Sequence, residues 1–190
     1  MTEHILFCAD ASGVSRHAAA AAIELALKTN SDIVAQFVVE DLRIPELEAF
    51  RGEPGLCGSG VLIDTTREIA KALTNLGETL LMYFCALAEG RGLRVEKCVD
   101  HGDKAKQILK RAEGCWLYVS AGRETLTEAE KTILHSLRCP FLSVESESRA
   151  VLYVPSNMYE EVMPRLRPIL RTLTMAVNVL EVEYTQELAS

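Results

Sequence analysis

The stretch Ile5-Leu6-Phe7-Cys8-Ala9-Asp10-Ala11-Ser12-Gly13 decides the fold. Ile5 to Ala9 is an apolar run long enough for a buried strand and too short for a helix. Asp10, Ser12 and Gly13 are turn and cap residues, and Ser12 is the expected N-cap of a first helix. That helix is rich in alanine and runs to about Lys28, its small side chains suited to lying close on a sheet. Asn30 and Ser31 break it, and Asp32 to Val39 reads as the second strand. Strand, helix and strand in this order make a crossover unit of a parallel sheet.

The pattern continues outward. From Glu40 to about Asp64, Pro45, Pro54 and four glycines mark a long loop, of the kind that is functional or mobile inside a domain. The next helix is expected from near Thr66, with Ile69, Leu73, Leu76, Leu80, Phe84 and Leu87 as one apolar stripe, closing at Gly90 and Gly92. Leu93 to Val99 alternates apolar and charged residues, which suits an edge strand. Asp103 is expected to cap a helix that turns Ile108, Leu109 and Ala112 inward and ends at Gly114. Cys115 to Ser120 is the fourth strand and Ala121 to Thr125 a short turn. A helix from about Thr127 to Arg138 stops before Pro140, and Phe141 to Glu145 is the fifth strand. The whole reads as an α/β three-layer sandwich, a five-stranded mostly parallel sheet covered on both faces.

Residues 147–190 form a C-terminal extension to this first domain, residues 1–146. Ala150 to Val154 and Val177 to Tyr184 read as strands around a helix with the stripe Leu166, Ile169, Leu170 and Leu173. Pro164 and Pro168 belong at most in the first turns of that helix. This strand–helix–strand unit is nearly as long as Ile5 to Val39 and has the pattern of a truncated second repeat. Alone it has too little core to fold, so it must dock on the first domain or swap onto a partner subunit.

Composition narrows the function. The net charge of −7 argues against nucleic acid and anionic membranes as partners, and no window offers the apolar run a membrane span needs. With no signal-like N-terminal segment, a cytoplasmic location is expected. The six cysteines include no C-x-x-C, and five lie in or beside apolar runs, where a thiol behaves as a small hydrophobe. Cys57, among the glycines of Gly55 to Gly60, reads either as a plain loop residue or as an exposed thiol sensor. The four histidines show no metal-ligand spacing, so no metal is expected, and no hydrolase signature is present. Asp100, His101 and Asp103 could suggest acid–base chemistry, but a strand-to-helix turn favours the same residue types.

Taken together, the strand end at Asp10, Ser12 and Ser15, the run Phe37-Val38-Val39-Glu40-Asp41, the segment Gly102-Asp103-Lys104-Ala105 and the closing Cys139-Pro140-Phe141-Leu142-Ser143-Val144 resemble universal stress proteins. The resemblance spans residues 3 to 146 and rests on the order and spacing of these segments. It implies the strand order 3-2-1-4-5, a homodimer often paired through the fifth strand, and a regulatory or binding role without catalysis. It also implies a ligand cleft where the strand order reverses, lined by Asp10, Val38, Ser120 and Gly122, with Asp10 near an adenine or ribose and Val38 offering backbone hydrogen bonds. A purely local role for Asp10, in the turn into the first helix, stands beside that reading.

Members of the family that bind ATP carry a loop of the form G-x2-G-x9-G-[ST] after the fourth strand, whose amide groups wrap the phosphates. Here the closing pair falls on Thr127-Glu128, the spacer is too short, and only Gly122 remains of the first glycine. Thr127 with Glu130, or Thr125 with Glu128, instead forms a capping box that brings carboxylates to the helix start. The expectation is a dimeric module with no cofactor, not binding ATP in the family manner. The alternative is a protein taking AMP or ATP as an adenine ligand.

Overall fold

β1 (His4–Ala9) is buried along nearly its whole length, with Ile5 and Leu6 fully enclosed, because it runs between two parallel neighbours. The computed structural model describes residues 4–40, 58–123 and 125–183, and within 58–66 the helical backbone alone. Cys57 and most of the loop read from Glu40 to Asp64 therefore lie outside the described residues. β2 (Asp32–Val39) and β4 (Cys115–Ala121) flank β1; β3 (Val95–His101) lies outside β2, and β5 (Phe141–Val144) outside β4. All four pairings are parallel, in the order expected. β3 is the edge, and the alternation in the sequence corresponds to exposed Arg94 and Glu96 between half-buried Leu93 and Val95.

Two helical layers cover the sheet. On one face α1 (Ser15–Thr29) lays Ala18, Ala22, Leu25 and Ala26 on the strands, and α2 (Gly58–Glu89) adds Leu81, Phe84 and Ala88. The Phe84 ring stacks on Phe7 at 4.5 Å between centroids. Gly77 has a packing reason, since a Cβ there would overlap the Phe37 ring. On the opposite face α3 (Lys104–Arg111) and α4 (Glu128–Ser136) enclose Ile108, Ile133, Tyr118 and Phe141.

The tail continues the same sheet. β6 (Arg149–Pro155) pairs antiparallel with β5, setting Phe141 against Tyr153, and β7 (Ala176–Val182) pairs parallel with β6. The sheet therefore has seven strands in the order 3-2-1-4-5-6-7. α5 (Tyr159–Leu170) packs Met163, Leu166 and Leu170 into the α1 side of the core, burying Ala150, Leu152 and Val154 beneath it. Lys28 of α1 reaches the Thr172 hydroxyl, and Trp116 Nε1 donates to Ser31 Oγ at 3.0 Å near this seam.

Three local expectations are corrected. α2 begins at Gly58 rather than near Thr66, so Gly58 and Gly60 are helical despite their low propensity. Pro164 and Pro168 lie inside α5, which starts at Tyr159 with Glu160 and Glu161 in its first turn. Both prolines are exposed, and burial of Met163, Leu166 and Leu170 outweighs the missing N–H groups. Ser12 does not cap α1: the N-cap position is Val14, which makes no side-chain cap bond, and Ser12 turns back to Asp10 instead.

Candidate functional site

The carboxyl ends of β1 and β4 diverge at the point where the strand order reverses, and a cavity of about 300 Å³ opens there. Asp10 and Ser12 form one wall, Ala121, Gly122 and Arg123 another, and Thr127 and Glu130 the start of α4. Lys104 and Glu40 complete the rim. Three carboxylates and two cations thus face one small space. Its volume stands at the lower end of the range of about 300–1,000 Å³ for small-molecule sites.

Asp10 is held by a local turn. Its Oδ1 accepts from the Ser12 N–H at 2.9 Å and from the Ser12 hydroxyl at 2.6 Å, while its own N–H donates to Ser15 Oγ at 3.1 Å. The local role weighed from the sequence is therefore real, and the side chain still borders the cavity.

Gly122 is dictated by packing. Its N–H donates to the Val144 carbonyl at 2.7 Å, and a Cβ would overlap Ser143 Oγ and lie 3.1 Å from Ser143 Cβ. Ser120 lies below the rim, 7% exposed, its hydroxyl donating to the Ala121 carbonyl at 3.3 Å. Val38 packs half-buried against the α3 and α4 side of the core. The structure thus brings Asp10 and Gly122 to the cavity wall, and leaves Ser120 and Val38 outside its lining.

The start of α4 is the chemically decisive part. Thr127 is its N-cap and accepts from the Glu130 N–H at 3.3 Å, while Glu130 Oε2 accepts from the Thr127 N–H at 2.7 Å and its hydroxyl at 2.8 Å. Of the two capping boxes open from the sequence, the Thr127–Glu130 pair is formed. Glu130 is only 8% exposed, so a buried carboxylate already sits where the helix dipole would favour a bound anion. Lys104 and Arg123 are the cavity residues that the sequence reading passed over. Lys104 directly follows the capping Asp103 and Arg123 directly follows Gly122, so their neighbours carried the signal.

No acid–base pair forms from Asp100, His101 and Asp103. Asp103 caps α3 by accepting from the Lys106 N–H at 2.9 Å. Asp100 is gripped by both nitrogens of the Arg111 fork at 3.0 Å each and accepts from Gln36 Nε2 at 2.9 Å. The Arg111 bonds hold its carboxyl below the usual carboxylate value of 3.8. Burial pushes the Cys8 thiol up to about 12 and the Cys98 thiol to about 11, removing both from nucleophilic chemistry at neutral pH. Among the described residues, no three His, Cys, Asp or Glu side chains are grouped to hold a metal ion, and no helix is long and apolar enough to cross a membrane.

Comparison with solved structures settles what this architecture is. UspA from Lactobacillus plantarum, a universal stress protein, superposes with a TM-score of 0.60, covering 76% of this chain and 98% of its own at 14% identity. The fold is that of the universal stress proteins. A universal stress family protein from Burkholderia pseudomallei matches with a TM-score of 0.50 at 24% identity, over 75% of this chain and 96% of its own. A universal stress protein from Archaeoglobus fulgidus matches with a TM-score of 0.52 at 16% identity, covering 97% of this chain and 80% of its own. The last of these matches extends over the tail as well, whereas the first two cover nearly the whole of their own chains with about three quarters of this one. No protein-family model matches the sequence, and no curated protein matches it significantly.

Proposed function

We propose that this protein is a stress-protein-like regulatory or binding module, non-catalytic, that does not take ATP through the family's phosphate loop. The observation that carries the reading is the buried Glu130 carboxylate closing the start of α4. A triphosphate there would meet a negative charge, with the Thr127 and Glu130 amide groups already engaged. The spacer between Gly122 and Thr127 is also too short to wrap a chain of phosphates.

Dimerisation, which the resemblance implies, is proposed through a surface other than the fifth strand, because β5 has β4 on one side and the chain's own β6 on the other.

A second reading, an adenine ligand of lower charge such as AMP, is favoured by Lys104 and Arg123 on the cavity rim. Thermal unfolding with ATP, AMP, adenosine and cyclic AMP separates the readings. A ligand at about 100 times its Kd adds about 2.7 kcal/mol of apparent stability. That corresponds to an upward shift of about 5–10 °C for a chain of this length. The leading reading expects no shift with ATP. A saturable ATP shift that disappears in Arg123→Ala overturns it, and a shift with AMP alone transfers the assignment to the second reading. The thiol-sensor reading of Cys57 concerns a residue outside the described part of the chain.

A further inference from the structure

Cys115 and Cys139 are distant in sequence and adjacent in space. Cys115 opens β4 and Cys139 lies just before β5, on the core side shared with α3 and α4. Their sulfurs are 3.3 Å apart, and both thiols are free. The surrounding backbone holds them in place. The Tyr118 N–H donates to the Pro140 carbonyl at 2.9 Å, and the Leu137 N–H ends α4 on Ile133 at 2.8 Å. A disulfide needs a sulfur separation of about 2 Å, so rotation of the two side chains has to close a gap of only about 1 Å.

We propose that Cys115 and Cys139 form an oxidation site that a small peroxide closes into an intrachain disulfide, tying the start of β4 to the turn between α4 and β5. In the first step one thiolate sulfur attacks a peroxide oxygen. An S–O bond forms, the O–O bond breaks, and hydroxide leaves and takes up the thiol's proton as water, giving a sulfenic acid. In the second step the neighbouring sulfur attacks that sulfenic sulfur. The S–S bond forms, the S–O bond breaks and water leaves. Two thiols and one hydrogen peroxide give one disulfide and two waters, with the sulfurs oxidised and the peroxide reduced.

Burial sets the selectivity. Cys115 is 8% and Cys139 3% exposed, so hydrogen peroxide can reach them through a small opening of the turn, whereas a bulky disulfide such as oxidised glutathione cannot. The bond to Cys115 and burial also hold the Cys139 thiol well above its usual value, so Cys139 itself is a poor nucleophile at neutral pH and gains reactivity as pH rises. A close-packed pair with a poorly ionised Cys139 suits a site that responds to sustained oxidation.

The test is peptide mapping of the folded full-length chain under non-reducing conditions, after hydrogen peroxide or after oxidised glutathione. The expected result with peroxide is a linked peptide pair carrying Cys115 and Cys139, two hydrogens lighter than the free peptides and separated again by dithiothreitol. Oxidised glutathione should leave both residues unmodified. Cys115→Ser should abolish the link, and the peroxide-treated wild type should show a higher unfolding midpoint than its reduced form. Peroxide treatment that leaves both thiols free, joins either residue to a different cysteine, or gives the same link only in urea overturns the proposal. So does glutathionylation of either residue in the folded protein.

Discussion

At the scale of single residues, Asp100 shows how a side chain near the cleft can be structural. Its carboxylate is shared between the Arg111 fork and buried Gln36, a hydrogen-bond set that binds β2, β3 and α3 together. The folded-state value of Asp100 is depressed below 3.8, so its contribution is complete above that value and fades as pH falls through the lower folded-state value. Asp100→Asn should cost about 1–2 kcal/mol at neutral pH, and the difference from wild type should shrink as the medium is acidified below 3.8. Urea midpoints of both proteins across an acid series measure this; a difference independent of pH would remove the ion pair from the account. Individual residues were partly readable in advance. Asp103 was legible as a cap, and Thr127 as one of two choices with Thr125, because an N-cap depends on neighbours one turn away. Ser12 misled, because an Asp-x-Ser sequence suits an Asp-centred turn as well as a helix start, and only the hydrogen bond to Asp10 distinguishes them.

At the scale of elements, local pattern succeeded where each segment had a single job. The strands of the first five positions and the edge character of β3 follow from apolar run length and alternation. α5 is different, because tertiary burial overrides its local preferences. Pro164 and Pro168 are exposed on a helix whose other face buries Met163, Leu166 and Leu170. The helix is kept by its inner face against the cost of two missing donors. Replacing Pro164 by Ala supplies an N–H where the Glu160 carbonyl stands one turn earlier. The variant should be more stable by about 1–2 kcal/mol, after allowing for the greater freedom Ala gives the unfolded chain. Differential scanning calorimetry of Pro164→Ala should therefore show a higher midpoint. A lower one would mean that the ring contributes packing its exposure does not reveal.

At the scale of the molecule, the docking of the tail was the part pattern could not specify. A strand–helix–strand unit looks alike whether it joins its own sheet or another chain's, since pairing partners are chosen by edges that become available only in the folded protein. Here β6 takes the outer edge of β5 and buries Ala150, Leu152 and Val154 under α5. A chain ending at residue 146 should lose that cover and present β5 as an open apolar strand. Size-exclusion chromatography should find it aggregated or in a larger assembly than the full chain forms, and a well-behaved shortened chain of unchanged association would show that β6 adds nothing to the edge.

The reversal of direction between β5 and β6 has a spatial consequence for chemistry. The first five strands all point their carboxyl ends toward Asp10 and Gly122, whereas β6 and β7 point the other way. The crossover mouth of the tail, at Ser156 to Met158, therefore opens at the opposite pole, about 20 Å away along the seven residues of β6. Substitutions at one pole should leave binding at the other untouched, so the molecule has two ends that evolution or engineering can alter independently.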